Sequence, residues 1–199
     1  MITALWACLF WVAAASAQDA LLGTHEDLVT AAACANSGLC ATADASGIVR
    51  LWDPSTRAAL GSFKAERSTA VVSLAVSPDG TRALTGSDNG DIRFWELPSG
   101  KSLGRWARLN DTVLSLAFTP DGALAAASES DLGLVHIFDA ARGRQLRQWK
   151  ADGGPLREIV FSPGGDRLIA ADYQRGVGLW EHERGALLRL RPHSGRMHQ

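Results

Sequence analysis

Apolar residues in this chain come in short runs, several alternating with polar ones, and each run is cut by Gly, Pro, Asn or Asp. From residue 71 the sequence reads VVSLAV, RALTGS and DIRFWE, then SLGRW from residue 102, with SPDG and DNG among the interruptions. Short runs and period-two alternation between such residues predict β-strands. Pro78 presets φ for one turn, Gly80 supplies the positive φ that closes it, and Asn89-Gly90 is a strong two-residue hairpin signal. Residues 71 to 106 therefore predict four short strands.

The same pattern recurs. Trp52-Asp53, Trp95-Glu96, Phe138-Asp139 and Trp180-Glu181 are spaced by 43, 43 and 42 residues. SPDG at 77, TPDG at 119, SPGG at 162 and the weaker ANSG at 35 keep that step, as do Phe63, Trp106, Trp149 and Leu190. Landmarks in register at a 43-residue period predict a repeat architecture built from one four-stranded unit. The units run approximately 20-53, 59-96, 102-139 and 145-181, followed by a strand at 186-190 and a tail at 192-199.

Units of this length, each ending its third strand in an aromatic-acid pair, resemble the WD40 repeat family. The resemblance spans residues 20 to 191. It implies an all-β, β-propeller-like fold of four WD40-type four-stranded blades round a channel. The family's third-strand Trp maps to Trp52, Trp95 and Trp180, with Phe138 as a substitute. Its Gly-His start survives only as Thr24-His25, and its turn Asp is replaced by Ser46, Asn89, Leu132 and Gln174. The family's His-Ser/Thr-Asp-Trp hydrogen-bond network is therefore expected in no unit, the nearest approach being His25, Thr42, Ser46 and Trp52. Four units are fewer than the seven usual in the family. Residues 20–24 (ALLGT) and 186–190 (ALLRL) both match the fourth-strand slot, so an open or partial ring is expected, with compact four-blade closure as the alternative. A homo-oligomer could complete the ring.

At 199 residues the chain has room for one domain with a real core. Twenty basic against twenty-one acidic side chains give no global attraction to nucleic acid. Residues 1-17 (MITALWACLFWVAAASA) carry no charge and end in Ala15-Ser16-Ala17, the pattern of a cleaved secretory signal peptide. An uncleaved anchor is the alternative. Cleavage would leave a domain at 18-191, periplasmic or secreted, with no stable membrane insertion. Of the cysteines, Cys34 and Cys40 would remain. A turn between them suggests diagonal positions on a hairpin, and free, partly buried thiols are expected.

Catalytic strings are scarce. Ser87-Asp88-Asn89 matches an SDN motif, yet no Ser precedes a Lys by three residues and no KTG occurs. Asp88 to Asp91 lacks the alternating acids and terminal Glu of a calcium loop. No hydrolase elbow, phosphate loop or dinucleotide fingerprint is present. His25, His136, His182, His193 and His198 form no evident metal set, so no catalytic residue, metal or cofactor is assigned. Asp53, Glu96, Asp139 and Glu181 recur as blade architecture.

By analogy with the family, binding falls on the loops before each first strand and on the second hairpin turns. The first set offers Glu26, Asp27, Arg67, Asn110, Asp111 and Asp152. The second offers Asp88, Asp131, Tyr173 and Arg175. Mixed signs suit a protein or peptide partner, and the expected function is an exported, non-catalytic interaction scaffold. The alternatives are a propeller enzyme using a channel metal or quinone, and a fragment of a larger propeller.

Overall fold

In the computed structural model, the described residues are 22–131, 133–151, 154–172 and 177–181, with the backbone of 186–190. They form four antiparallel four-stranded sheets, each taken in chain order. The first blade is β1 (Val29–Cys34), β2 (Cys40–Asp44), β3 (Ile48–Asp53) and β4 (Ala58–Lys64). The second is β5 (Val71–Val76), β6 (Arg82–Ser87), β7 (Asp91–Glu96) and β8 (Lys101–Arg108). The third is β9 (Val113–Phe118), β10 (Leu124–Glu129), β11 (Leu134–Asp139) and β12 (Arg144–Lys150). The fourth is β13 (Leu156–Phe161), β14 (Arg167–Asp172), β15 (Val177–Glu181) and β16 (Ala186–Leu190). This is a β-propeller, and no helix occurs among the described residues.

The turn chemistry follows the sequence. Ser77 donates its hydroxyl to Asp79 at 2.5 Å and Thr119 does the same to Asp121 at 2.6 Å, while Gly80 and Gly122 take φ of 73° and 70°. The Asn89 side-chain oxygen accepts Ser87 Oγ at 2.8 Å and the Asp91 amide at 3.0 Å. The SDN string is thus a self-satisfied hairpin turn.

Packing joins the blades in chain order. The first strands β1, β5, β9 and β13 are innermost, each against the next. Each third-strand aromatic faces the blade before it. Trp95 packs on Phe63 with ring centroids 4.8 Å apart, Phe138 on Trp106 at 6.0 Å, and Trp180 shares a core with Trp149. Such aromatic contacts are each worth about 0.5–1.5 kcal/mol beyond the area they bury. The 43-residue spacing of aromatics therefore records blade-to-blade contacts.

Three interblade cores hold four blades, and a seam remains between the fourth and the first. No core cluster spans it among the described residues. At the seam Val29 and Val160 are 48% and 42% exposed, whereas Val71 and Val113 are fully buried. Residues 22–24 match the fourth-strand slot in sequence but are irregular; they lie beside the first blade, where a Cβ on Gly23 would meet the Trp52 ring at 2.4 Å.

Each of β4, β8 and β12 carries an extra residue, Leu60, Leu103 or Leu146, at a β-bulge beside the third-strand aromatic, and β8 has a second bulge at Trp106. All three leucines are exposed. β16 pairs with β15 without such a break.

The cysteines depart from expectation. Cys34 and Cys40 stand directly opposite one another in the β1–β2 register, and they form a disulfide. A short turn closes the hairpin tightly, so the two residues meet face to face where the sequence suggested a diagonal offset.

Candidate functional site

Loops at one end of the ring rest on one another through backbone hydrogen bonds. The Ala65, Leu109 and Ala151 amides donate to the carbonyls of Gly47, Gly90 and Gly133, all at 2.8–2.9 Å. Gly47 and Gly90 hold φ of 86°, and a Cβ on either would strike a backbone oxygen within 2.5 Å. Glycine is required there because the next loop lies in the space a side chain would fill.

Four of the residues expected on this end converge between the second and third blades. Asp111 Oδ1 accepts the Thr112 amide at 2.6 Å, and Asp111 Oδ2 accepts that of Asp131 at 3.0 Å. Asn110 donates its amide to Glu129 at 2.8 Å, and Thr112 Oγ1 donates to the Asp88 carbonyl at 3.0 Å. The Thr112 amide bond holds the Asp111 carboxyl below its usual range, while its hydrogen bond to Asp111 and that neighbour's charge push Asp131 up. The side chains of Asp88, Asn110 and Asp131 remain exposed. Arg67 is exposed between the first two blades, and Glu26 and Asp27 are exposed beside the seam. Asp152, Tyr173 and Arg175 lie outside the described residues, as do the signal segment, His182, His193 and His198.

Beneath this surface are buried polar groups, of which sequence reading named His25, Thr42, Ser46 and Trp52 but missed the acids Asp44, Glu66 and Glu129. Thr42 accepts the Trp52 indole N–H at 2.8 Å and contacts His25 Nε2 at 2.7 Å; His25 Nδ1 meets Asp44 at 2.7 Å. Asp44 also accepts Ser46 Oγ at 2.6 Å and the Ile48 amide at 2.9 Å. The four-residue network is therefore complete in the first blade, contrary to expectation. Asp44 supplies the carboxylate eight residues before Trp52, and Ser46, expected in that place, supports it as a donor. Burial opposes ionisation of Asp44, but hydrogen bonds from Ser46, His25 and Ile48 outweigh it and lower the pKa to about 2.

The other blades improvise at equivalent places. In the third, Glu129 is buried where Asp44 stands, and it meets His136 at 3.2 Å; that histidine comes from the blade's own β11. In the second, Trp95 donates to Thr85 at 3.0 Å, and Arg93 bridges buried Glu66 at 2.7 Å and Asp91 at 3.5 Å. Arg105 also reaches Asp91 at 3.3 Å. The recurring place two residues before the aromatic, Arg50, Arg93 and His136, was visible as a polar interruption in each third strand. The pairing of Arg93 and His136 with buried acids was not.

A family model of the Vps8 β-propeller matches residues 14–153, well over half of the chain. The chain belongs to the Vps8 β-propeller family. No curated protein matches it. The Vps8-type match runs through the first three blades, including the loop cluster at Asn110 and Asp131. At the opposite end of this Vps8-type propeller, the innermost strands converge on a cavity of about 230 Å³ whose lining includes Cys34, Val76, Phe118 and Phe161. Among the described residues no three His, Cys, Asp or Glu side chains are grouped as a metal site, and no helix is long and apolar enough to cross a membrane.

Proposed function

We propose that this propeller is an exported WD40-type scaffold that binds a protein or peptide partner without catalysing a reaction. The observation that carries the reading is the loop cluster between the second and third blades. There, Asp88, Asn110 and Asp131 present exposed polar side chains from backbone fixed by hydrogen bonds in both blades. Specificity is well placed on loops that a rigid frame holds still, and a fixed backbone reduces the ordering cost of binding.

The test compares wild type with the combined Asp88→Ala, Asn110→Ala, Asp131→Ala variant in crosslinked affinity capture from the native host. A partner that is retained by wild type and lost by an equally stable variant supports the surface. Equal recovery by both sinks it. Export is tested by fractionation and N-terminal sequencing, with Gln18 expected as the first residue. A stoichiometric metal in the purified protein would overturn the non-catalytic reading.

A further inference from the structure

We propose that the Cys34–Cys40 disulfide is a thiol-exchange site, at which a low-molecular-weight thiol enters the cavity and bonds to Cys34 Sγ. The two cysteines join the innermost strand β1 to β2, which lies outside it. Cys34 is exposed and lines the cavity of about 230 Å³, whereas Cys40 is half-buried and outside that lining. The residues that face each other at the same places are Val76 and Ala83 in the second blade, Phe118 and Ala125 in the third, and Phe161 and Leu168 in the fourth. Ala83, Ala125 and Leu168 are buried. Three blades thus close the inner hairpin with an apolar pair, and only the first places sulfur there. The bridge spans a sequence separation of 6, and so short a loop constrains the unfolded chain less than a long-range bridge would. Its exposure to the cavity marks it as reactive, since exposed disulfides are the labile ones.

Exchange begins when a thiolate attacks one sulfur and expels the other. Cys40 belongs to the strand farther from the channel, so a thiolate in the cavity meets Cys34 Sγ with Cys40 behind it as the leaving group. The incoming sulfur bonds to Cys34 Sγ, and the Cys34–Cys40 bond breaks with its electron pair on Cys40 Sγ, which then takes a proton from water. One sulfur–sulfur bond forms and one is lost, so the step requires no oxidant or reductant besides the thiol. Attack by the Cys40 thiolate on Cys34 Sγ reverses it and releases the thiol. While bound, the substituent lies among Val76, Phe118 and Phe161, with Asn36 and Thr119 as polar neighbours. The site is at the end of the ring opposite the loop cluster, and it stands or falls separately from the scaffold reading.

The test treats the full chain, carrying Cys8→Ser, with 2-mercaptoethanol under native conditions and quenches with iodoacetamide. Fragment mass spectrometry should find 2-mercaptoethanol on Cys34 and the alkyl group on Cys40, formed at a rate proportional to thiol concentration and unchanged by low urea. The opposite labelling, no reaction, or reduction that ignores thiol concentration and follows unfolding in urea would overturn the proposal, as would two thiols present from the start. As a second measurement, Cys40→Ser and Cys34→Ser each leave one cysteine to react with a small aromatic disulfide. Because reactivity follows access, Cys34 should react about tenfold faster than Cys40. Equal rates, or a faster Cys40, would also overturn it.

Discussion

Replacing Asp44 with Asn tests whether one buried carboxylate organises the first blade. Asp44 is inaccessible to solvent and receives three donors within 2.9 Å, from His25, Ser46 and Ile48. Asparagine keeps the shape, but it loses the charge and turns an amide N–H₂ toward at least one of those donors. The loss is about 3 kcal/mol, since hydrogen bonds to charged groups contribute about 1.5–3 kcal/mol and stranded donors cost a similar amount. The pKa gives a consistent figure. A fall from 3.8 to about 2 corresponds to about 2.5 kcal/mol at neutral pH. For a domain of this size the melting temperature should drop by about 6–12 °C. The sign follows from a depressed acid. Its contribution is fully present above pH 3.8 and is lost as pH falls through about 2, so wild type and Asp44→Asn should differ most near pH 7 and converge at pH 2. Thermal and urea melts at stepped pH measure this. Asp53 is the control, because hydrogen bonds from Ser55 and Thr56 lower its pKa to about 2 as well, but at the solvated surface. Asp53→Asn should have a far smaller effect. Equal losses for both variants, or a gap for Asp44→Asn that persists to pH 2, would refute the reasoning.

Thr85→Val should cost about 1–3 kcal/mol in urea unfolding by stranding the buried Trp95 N–H. Adding Trp95→Phe should recover part of that loss, since Phe138 and Ala127 hold the two places in the third blade. Gly143→Ala should lower the urea midpoint by about 2–4 kcal/mol equivalent, because Gly143 has φ of 65° and its Cβ would sit 2.5 Å from Trp106. Mass spectrometry of the unreduced tryptic peptide ending at Arg50 should find it two hydrogens lighter than after reduction. Two alkylatable thiols in that peptide would instead return Cys34 and Cys40 to the free state.

The blades were legible because turn residues and aromatics act locally and repeat. Pro78, Gly80, Asn89 and Gly90 each dictate a turn within a few residues, and the 43-residue step made coincidence implausible. Long-range choices were less visible. Asp44 was overlooked because its hydrogen bonds depend on where a strand end points, and spacing from Trp52 alone suggested Ser46. The His136–Glu129 contact joins adjacent strands across a turn longer than those of the first two blades, so alignment with those units obscured it. Of the expected binding residues, Asn110, Asp111, Asp88 and Asp131 come together because the loop before β9 bonds to both neighbouring hairpin turns, through the Glu129 and Asp111 carboxylates and the Asp88 carbonyl. Arg67, Glu26 and Asp27 do not join them, since they belong to other blade boundaries.

The extra leucine in β4, β8 and β12 bears on how the molecule behaves in a crowded solution. A broken outer strand offers an approaching chain only a few consecutive unpaired amides, too few to extend the sheet, and such interruptions are a common defence against fibril growth. The fourth blade has no such interruption between Leu187 and Leu188. If the protein self-associates during overexpression or heating, polymerisation should begin at that rim, and inserting one residue there should improve solubility without disturbing the other three blades.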